Sequence, residues 1–170
     1  MPSTIRRARP EDAAAIAHAE YATAAAQQDL LVARPHEIPV QVFRDTITGL
    51  EHNGLYVVLE EDGQLLGHLL LQPMDLAALR HVVTLTIVVH PGHTGRGHGR
   101  RLLAHAIDWA TRQREIEKIE LRVRATNSRA RQLYESLGFT VEGVMKERIR
   151  LTDGYVDDIA MGRFVRSTGV

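Results

Sequence analysis

The fold is decided by a stretch near the middle of the chain that runs VHPGHTGRGHGRRLL, from Val89 to Leu103. The β-branched residues before it, from His81 to Val89, predict a strand. That strand must stop at Pro91, because proline cannot donate a hydrogen bond to a sheet ladder. From about Gly99 to Arg114 the apolar residues recur at helical spacing and predict an amphipathic helix. The sequence therefore predicts a strand, a glycine-rich loop and a helix in direct succession.

A loop of this kind suits an anion. Glycines leave backbone N–H groups uncovered, and the start of a helix adds unpaired N–H donors with a partial positive charge. Arginines beside the loop supply charge-assisted hydrogen bonds. We therefore predict a phosphate or pyrophosphate site, for which the candidate arginines are Arg96, Arg100 and Arg101.

Other interpretations of the loop are a dinucleotide site, a nucleic-acid patch, a zinc site and a simple turn. The spacing Gly95-x-Gly97-x-Gly99 differs from the Gly-x-Gly-x-x-Gly of dinucleotide loops. No aromatic residue between Pro91 and Asp108 offers a base-stacking surface. His90, His93 and His98 invite a metal interpretation, but neither acids nor cysteines stand near them, so no metal is expected. A loop that merely turns a corner stays open.

Around this stretch, local patterns give the order β-α-α-β-β-β-α-β-α-β-β. Ile5 to Arg9 predicts a first strand, and hairpins are predicted at Asp62-Gly63 and Asp153-Gly154. Strands alternating with helices and hairpins predict a mixed α/β fold. At 170 residues, the chain predicts one domain spanning 1–170, with a core from about 4 to 165.

Composition excludes several classes of protein. Lys+Arg and Asp+Glu both number 21, so no net charge attracts nucleic acid or an anionic membrane. There are no cysteines, which removes disulfides, thiolate metal sites and a cysteine nucleophile. Since no signal peptide or membrane span is evident, a cytoplasmic location is expected, with neither a nucleic-acid nor a membrane partner.

A second motif lies in NSRARQLYESLGF, from Asn127 to Phe139. Asn127 suits the start of a helix as its cap, and Gly138 suits the residue just past its end. Ala130, Leu133, Tyr134 and Leu137 form the predicted buried stripe. The stripe therefore predicts that Tyr134 is a core residue.

The two motifs together closely resemble the GNAT superfamily of acetyl-CoA-dependent N-acetyltransferases. That family's CoA loop is Arg/Gln-x-x-Gly-x-Gly/Ala, matched here by Gly97 and Gly99, and its helix motif is Asn-x-x-Ala-x-x-Leu-Tyr-x-x-x-Gly-Phe. Thr94 departs from the family's Arg or Gln, and His98 replaces an aliphatic residue. The resemblance implies a mostly antiparallel mixed sheet of about seven strands, flanked by about four helices, with strands four and five splayed apart.

The resemblance also implies how acetyl-CoA would bind as co-substrate. The pantetheine arm would bond the main chain of strand four, and the loop would hold the pyrophosphate, with Asn127 as either a CoA contact or only a helix cap. The implied contacts are Ile87, Val88, Val89, Thr94, Gly95, Arg96, Gly97, His98, Gly99, Arg100 and Asn127.

The resemblance implies an acyltransferase that moves an acetyl group onto a primary amine by direct attack in a ternary complex. Tyr134 matches the family's general acid, and a phenol stays protonated near neutral pH. Many relatives carry a base glutamate on strand four, which this sequence lacks near Val83 and Thr84. Other candidates for the base are His68, His81, Asp157 and Asp158.

The acceptor stays open among small-molecule amines, amino acids and peptide N-termini, since it depends on Glu20 to Pro39 and on the last hairpin. The pattern from Arg148 to Asp157 resembles the ends of family members that act on small amines and amino acids. A homodimer through exposed strands or the last hairpin is expected. The alternative function is a regulatory module that binds acyl-CoA without catalysis.

Overall fold

The computed structural model describes residues 2–26, 33–34 and 36–166. Its helices and strands follow the predicted order. The helices are α1 (Ala13–Ala26), α2 (Val40–Gly49), α3 (His98–Arg112) and α4 (Ser128–Ser136). The strands are β1 (Thr4–Arg7), β2 (Leu55–Glu61), β3 (Gln64–Pro73), β4 (Val82–Val89), β5 (Lys118–Arg124), β6 (Thr140–Leu151) and β7 (Gly154–Phe164).

The strands form a seven-stranded sheet in the order β1-β2-β3-β4-β5-β7-β6. The pairs β1–β2, β2–β3, β5–β7 and β6–β7 are antiparallel. β4 and β5 are parallel, as a strand-helix-strand crossover through α3 requires. The predicted fold class, a mostly antiparallel mixed sheet with four helices, is confirmed.

The parallel pairing is short. It joins Val82 to Lys118, Val83 to Ile119 and Thr84 to Glu120, whereas β4 continues to Val89. Leu85 to Val89 therefore extend beyond the last residue of β4 that pairs with β5.

The chain divides into two compact units. The first comprises Met1–Gln72 with Thr86–Ala106, and the second Pro73–Leu85 with Ile107–Val170. In the first unit, α1 and α2 cover β2 with an apolar cluster that includes Ile16, Phe43 and Val58. β2 and β3 are buried along most of their length, which is why they are continuous apolar runs rather than alternating ones.

The second unit has its own buried residues. Ile119, Leu121, Phe139 and Met161 are each at most 4% exposed. β7 runs between β5 and β6, so its residues pair on both sides. The single-domain interpretation stays a prediction of the sequence.

The structure departs from the sequence predictions in details. Pro10 begins a short 3₁₀ helix ahead of α1, because its fixed φ suits a first turn. On α4 only Tyr134 of the predicted stripe is fully buried; Ala130, Leu133 and Leu137 are half-buried. Of the predicted loop from Gln27 to Pro39, residues 27–32 and 35 lie outside the described residues.

Candidate functional site

The loop after β4 has the backbone geometry of an anion cradle. Gly92, Gly95 and Gly97 all have positive φ, at 82°, 84° and 82°. Side chains rarely tolerate that conformation, so these glycines are required by the path of the chain. A Cβ built on Gly97 would meet no described atom within 4 Å, so this part of the backbone faces open space.

The first turn of α3 adds hydrogen-bond donors. The helix begins at His98, and its first backbone bond runs from the N–H of Arg101 to the carbonyl oxygen of Gly97, at 3.1 Å. The N–H groups of His98 and Gly99 precede that bond, so the helix itself offers them no acceptor. They and the partial positive charge of the helix start suit an anion.

The three predicted arginines do not act together. Arg96 and Arg100 are exposed beside the loop. Arg101 instead reaches the N-terminal segment, where its Nη1 donates to the Ser3 hydroxyl and its Nη2 to the Ser3 carbonyl oxygen at 2.8 Å. Arg101 is therefore not available to the loop.

His98 has a buried polar atom at this site. Its Nδ1 has no hydrogen-bond partner among residues 2–26, 33–34 and 36–166. Burial, and then the charge of Arg101, lower the pKa of His98, so the ring is neutral near pH 7. A ring nitrogen without a hydrogen-bond partner, beside glycines with positive φ, fits a polar ligand. Thr94, the other residue that departs from the family's loop, is exposed.

β4 packs closely against β3 just before this loop. A Cβ added to Gly67 of β3 would lie 3.0 Å from the Val88 carbonyl oxygen and 3.2 Å from Leu102 Cδ1. Val88 is buried, whereas Ile87 and Val89 are half-buried. Gly67 therefore lets β4 lie close to β3 at the residues predicted to bind pantetheine.

In the second unit, α4 carries the other predicted residues. The Asn127 side chain accepts a hydrogen bond from the Ala130 N–H at 3.1 Å, which confirms it as the helix cap. Tyr134 is 7% exposed and packs edge-on against Phe139, with ring centroids 5.9 Å apart. Burial raises the pKa of Tyr134 to about 12, so the phenol stays protonated across the neutral range.

Of the four candidates for the base, Asp157 and Asp158 form ion pairs and His68 is buried. Asp157 bonds Lys146 at 2.9 Å, and this bond lowers the pKa of the Asp157 carboxyl. Asp158 Oδ2 lies 3.2 Å from Arg122 and 3.3 Å from Arg148. His68 is completely buried.

The fourth candidate, His81, is exposed, but nothing described gives its ring a role. Its carbonyl oxygen accepts hydrogen bonds from the N–H groups of Glu117 and Lys118.

Sequence reasoning missed a buried line of hydrogen-bonded side chains formed by Glu20, His68 and His90. His68 Nε2 lies 3.0 Å from Glu20 Oε1, and His68 Nδ1 lies 2.9 Å from His90 Nε2. The signal available was a histidine within the apolar run of β3, a residue type that is buried only when its polar atoms are paired.

Neither a metal cluster nor a membrane span is found in the part of the chain that the structure describes. Within those residues, no three His, Cys, Asp or Glu side chains are grouped so that they could hold a metal ion. None of the described helices is long and apolar enough to cross a membrane.

Comparison with known proteins identifies the family to which the chain belongs. The family model described as Acetyltransferase (GNAT) family matches residues 19–139. The chain is 34% identical over 151 residues to L-amino acid N-acyltransferase MnaT of Escherichia coli K12, covering 85% of this chain and 83% of that protein. It is 29% identical over 102 residues to spermidine N(1)-acetyltransferase of Vibrio cholerae, covering 60% of this chain. The chain spans only 58% of the length of that second relative.

A solved structure supports the same architecture. The structure of yncA from Salmonella typhimurium with its cofactor acetyl-CoA has a TM-score of 0.89 to this chain. The match covers 100% of this chain and 98% of that one, at 24% sequence identity. At that identity the likeness shows the fold alone.

Proposed function

The chain belongs to the acetyltransferase (GNAT) family, and on that premise we propose that it transfers an acetyl group from acetyl-CoA to a primary amine. The observation that carries this proposal is the loop between β4 and α3. Its three positive-φ glycines precede the start of α3, where first-turn N–H groups and the partial positive charge of the helix suit the pyrophosphate of CoA. The likeness to an L-amino acid N-acyltransferase supports an amine acceptor.

In this proposal, the main chain of Ile87, Val88 and Val89 binds the pantetheine arm. Residues Gly95 to Arg100 hold the pyrophosphate, with Arg96 and Arg100 contributing charge in place of the side chain that Thr94 lacks. Asn127 uses its amide oxygen for the helix cap, which leaves its amide N–H₂ as the group for any CoA contact.

Tyr134 is proposed as the general acid. A phenol with a raised pKa is fully protonated at neutral pH and donates a hydrogen bond to sulfur as negative charge develops there. The sequence has no cysteine to carry an acyl group, which favours direct attack of the amine in a ternary complex. The acceptor is a small molecule, an amino acid or a peptide N-terminus; a homodimer and a cytoplasmic location stay predictions.

The test is acetyl-CoA-dependent release of free thiol against a panel of amines, amino acids and peptides. Tyr134→Phe removes the proposed acid, and Thr111→Val is the control because Thr111 is exposed near the end of α3 and its hydroxyl bonds the Ile107 carbonyl oxygen of the same helix. We expect Tyr134→Phe to lower kcat about 100-fold or more while Thr111→Val leaves it unchanged. Binding of acetyl-CoA without acetylation of any amine would instead favour the regulatory module.

A further inference from the structure

The parallel strands β4 and β5 are paired over only three residues of each strand. The pairing begins with Val82 and Lys118 and ends with Thr84 and Glu120, whereas β4 continues to Val89. Thr84 and Glu120 therefore mark the point at which the two strands part. In the proposed function, the pantetheine arm bonds the main chain of β4 beyond this point, and the thioester lies beside the strand.

The register of the two strands places Glu120 beside Thr84. Residues paired in neighbouring strands project from the same face of a sheet, about 5 Å apart. β5 reads KIELRVR, and its single acid, Glu120, alternates with the buried Ile119 and Leu121. Its side chain therefore lies on the opposite face from theirs. The Glu120 side chain is 37% exposed, so a molecule in solvent can reach it.

Glu120 brings to this point a group that β4 itself lacks. Acetylation of a protonated amine needs a proton acceptor, whereas β4 reads VVTLTIVV and contains no acid. The neighbouring strand supplies a carboxylate instead. Sequence spacing could not show this, because residues 84 and 120 are brought together only by the register of the sheet.

Lys118 holds Glu120 in its ionised form. Lys118 Nζ donates to Glu120 Oε1 at 2.8 Å and to Glu142 Oε2 at 2.9 Å. Burial lowers the pKa of Lys118, but its bonds to the two acids outweigh burial and raise the pKa overall, so Lys118 is an ammonium at neutral pH. The proton in each of these contacts lies on Lys118, and the two acids accept as carboxylates.

The three charged groups have one net negative charge, because two carboxylates share one ammonium. A charge of that sign attracts the cationic amine of an acceptor. A carboxylate has about four lone-pair positions, so the bond from Lys118 leaves Glu120 able to accept a further hydrogen bond. Glu120 can therefore bind an ammonium and take its proton.

Gly162 of β7 makes room for this arrangement. It pairs with Glu120 on one side and with Thr140 of β6 on the other. A Cβ at Gly162 would lie 2.5 Å from Glu142 Oε1 and 2.8 Å from Glu142 Oε2. The Glu142 side chain therefore crosses β7 directly over the glycine to reach Lys118.

We propose that Glu120 is the general base that takes a proton from the acceptor's amine. The inference rests on the proposed acetyl transfer. Glu120 and Tyr134, the proposed acid, belong to the same compact unit. Asp158 is less suited to this role, because its side chain is 7% exposed and lies within 3.3 Å of two arginines.

The proposed step balances in bonds and protons. The ammonium of the acceptor gives one proton to Glu120, and the neutral nitrogen forms a C–N bond to the thioester carbonyl carbon. The C–S bond breaks, and the thiolate takes the proton of Tyr134. The nitrogen then loses a second proton, which restores the phenol by way of solvent. Glu120 releases its proton to the solvent that its side chain reaches.

The test compares Glu120→Gln with Glu142→Gln, since each removes one carboxylate from Lys118 and the two side chains are similarly exposed, at 37% and 35%. We expect Glu120→Gln to lower kcat/KM for the amine about 100-fold at neutral pH, with an unchanged Kd for acetyl-CoA. Glu142→Gln should lower it far less. Glu115→Gln, at an exposed acid in the turn before β5, should leave it unchanged. Equal losses in Glu120→Gln and Glu142→Gln would overturn the proposal, because they would assign the effect to the ion pairs of Lys118.

The pH dependence separates a base from a charge that only binds the amine. We expect the loss in Glu120→Gln to shrink towards about pH 10, where an alkylamine with a pKa like that of lysine is largely neutral and needs no base. Lys118 and Glu142, the charged groups described beside Glu120, are retained in this variant. So is Tyr134, whose pKa of about 12 keeps it protonated over this range. A loss of the same size at every pH would overturn the assignment.

Glu120→Asp provides a second variant that keeps the carboxylate. We expect a reduced rate with the pH profile of wild type, whereas the pH profile of Glu120→Gln in this variant would contradict the role of the carboxylate. The proposed function is tested separately by wild type. If wild type acetylates no amine, the proposed function itself fails, whereas acetylation that is insensitive to Glu120→Gln overturns only the base.

Discussion

Replacing Gly67 by alanine tests the close approach of β3 and β4 on which the proposed pantetheine site depends. The added Cβ would lie 3.0 Å from the Val88 carbonyl oxygen, 3.2 Å from Leu102 Cδ1 and 3.4 Å from the α-carbon of Val89. Two of these three atoms are backbone of a sheet strand, which cannot rotate away as a side chain would. The strand must shift by a few tenths of an ångström.

Two opposing effects set the magnitude. Overpacking a buried site costs about 1–3 kcal/mol, whereas alanine stabilises by roughly 0.4–1 kcal/mol because it restricts the unfolded chain. The first is larger, so we expect the free energy of unfolding to fall by about 1–2 kcal/mol. A displaced β4 would also weaken its proposed main-chain contact to acetyl-CoA, and the loss of one hydrogen bond, about 1 kcal/mol, would raise the Kd about fivefold.

Urea unfolding followed by circular dichroism measures the stability, and isothermal titration calorimetry measures the Kd. Gly143→Ala is the matched control, because Gly143 also lies in a strand but a Cβ there meets no described atom within 4 Å. If Gly67→Ala is as stable as Gly143→Ala, the packing argument is wrong. A loss of stability with an unchanged Kd would leave the packing intact but remove Val88 from the proposed binding site.

Three further predictions concern the other predicted contacts. Arg96→Ala should raise the Kd for acetyl-CoA several-fold, and this effect should weaken with added salt. Arg101→Ala should leave the Kd unchanged, because Arg101 bonds Ser3. Calorimetry at two salt concentrations checks both. Asn127→Ala should lower the free energy of unfolding by about 1 kcal/mol through loss of the cap, and Asn127→Ser should restore it, as measured in urea. Because burial raises the pKa of Tyr134 to about 12, kcat should show no alkaline loss due to this phenol up to about pH 9 in a pH–rate profile.

The local elements were largely predictable from the sequence. Asp62-Gly63 has the positive φ values that a tight hairpin requires, at 49° and 79°, and the Asn127 cap is where its side-chain chemistry placed it. These features depend on neighbours a few residues apart, so periodicity and turn chemistry are sufficient to find them. The last hairpin was slightly misplaced: Leu151 pairs with Gly154, so the turn lies at Thr152-Asp153.

By itself, the sequence determined the order of elements, the glycine-rich loop and the family motif, because each depends on local spacing. Only the tertiary structure decided which side chains distant in sequence come into contact. Arg101 hydrogen-bonds Ser3, 98 residues away in the sequence, and Glu20 hydrogen-bonds His68, 48 residues away. Burial decides the second contact, since the fully buried His68 must find a partner wherever the fold supplies one. The first contact is exposed and forms because the fold brings Ser3 beside the first turn of α3.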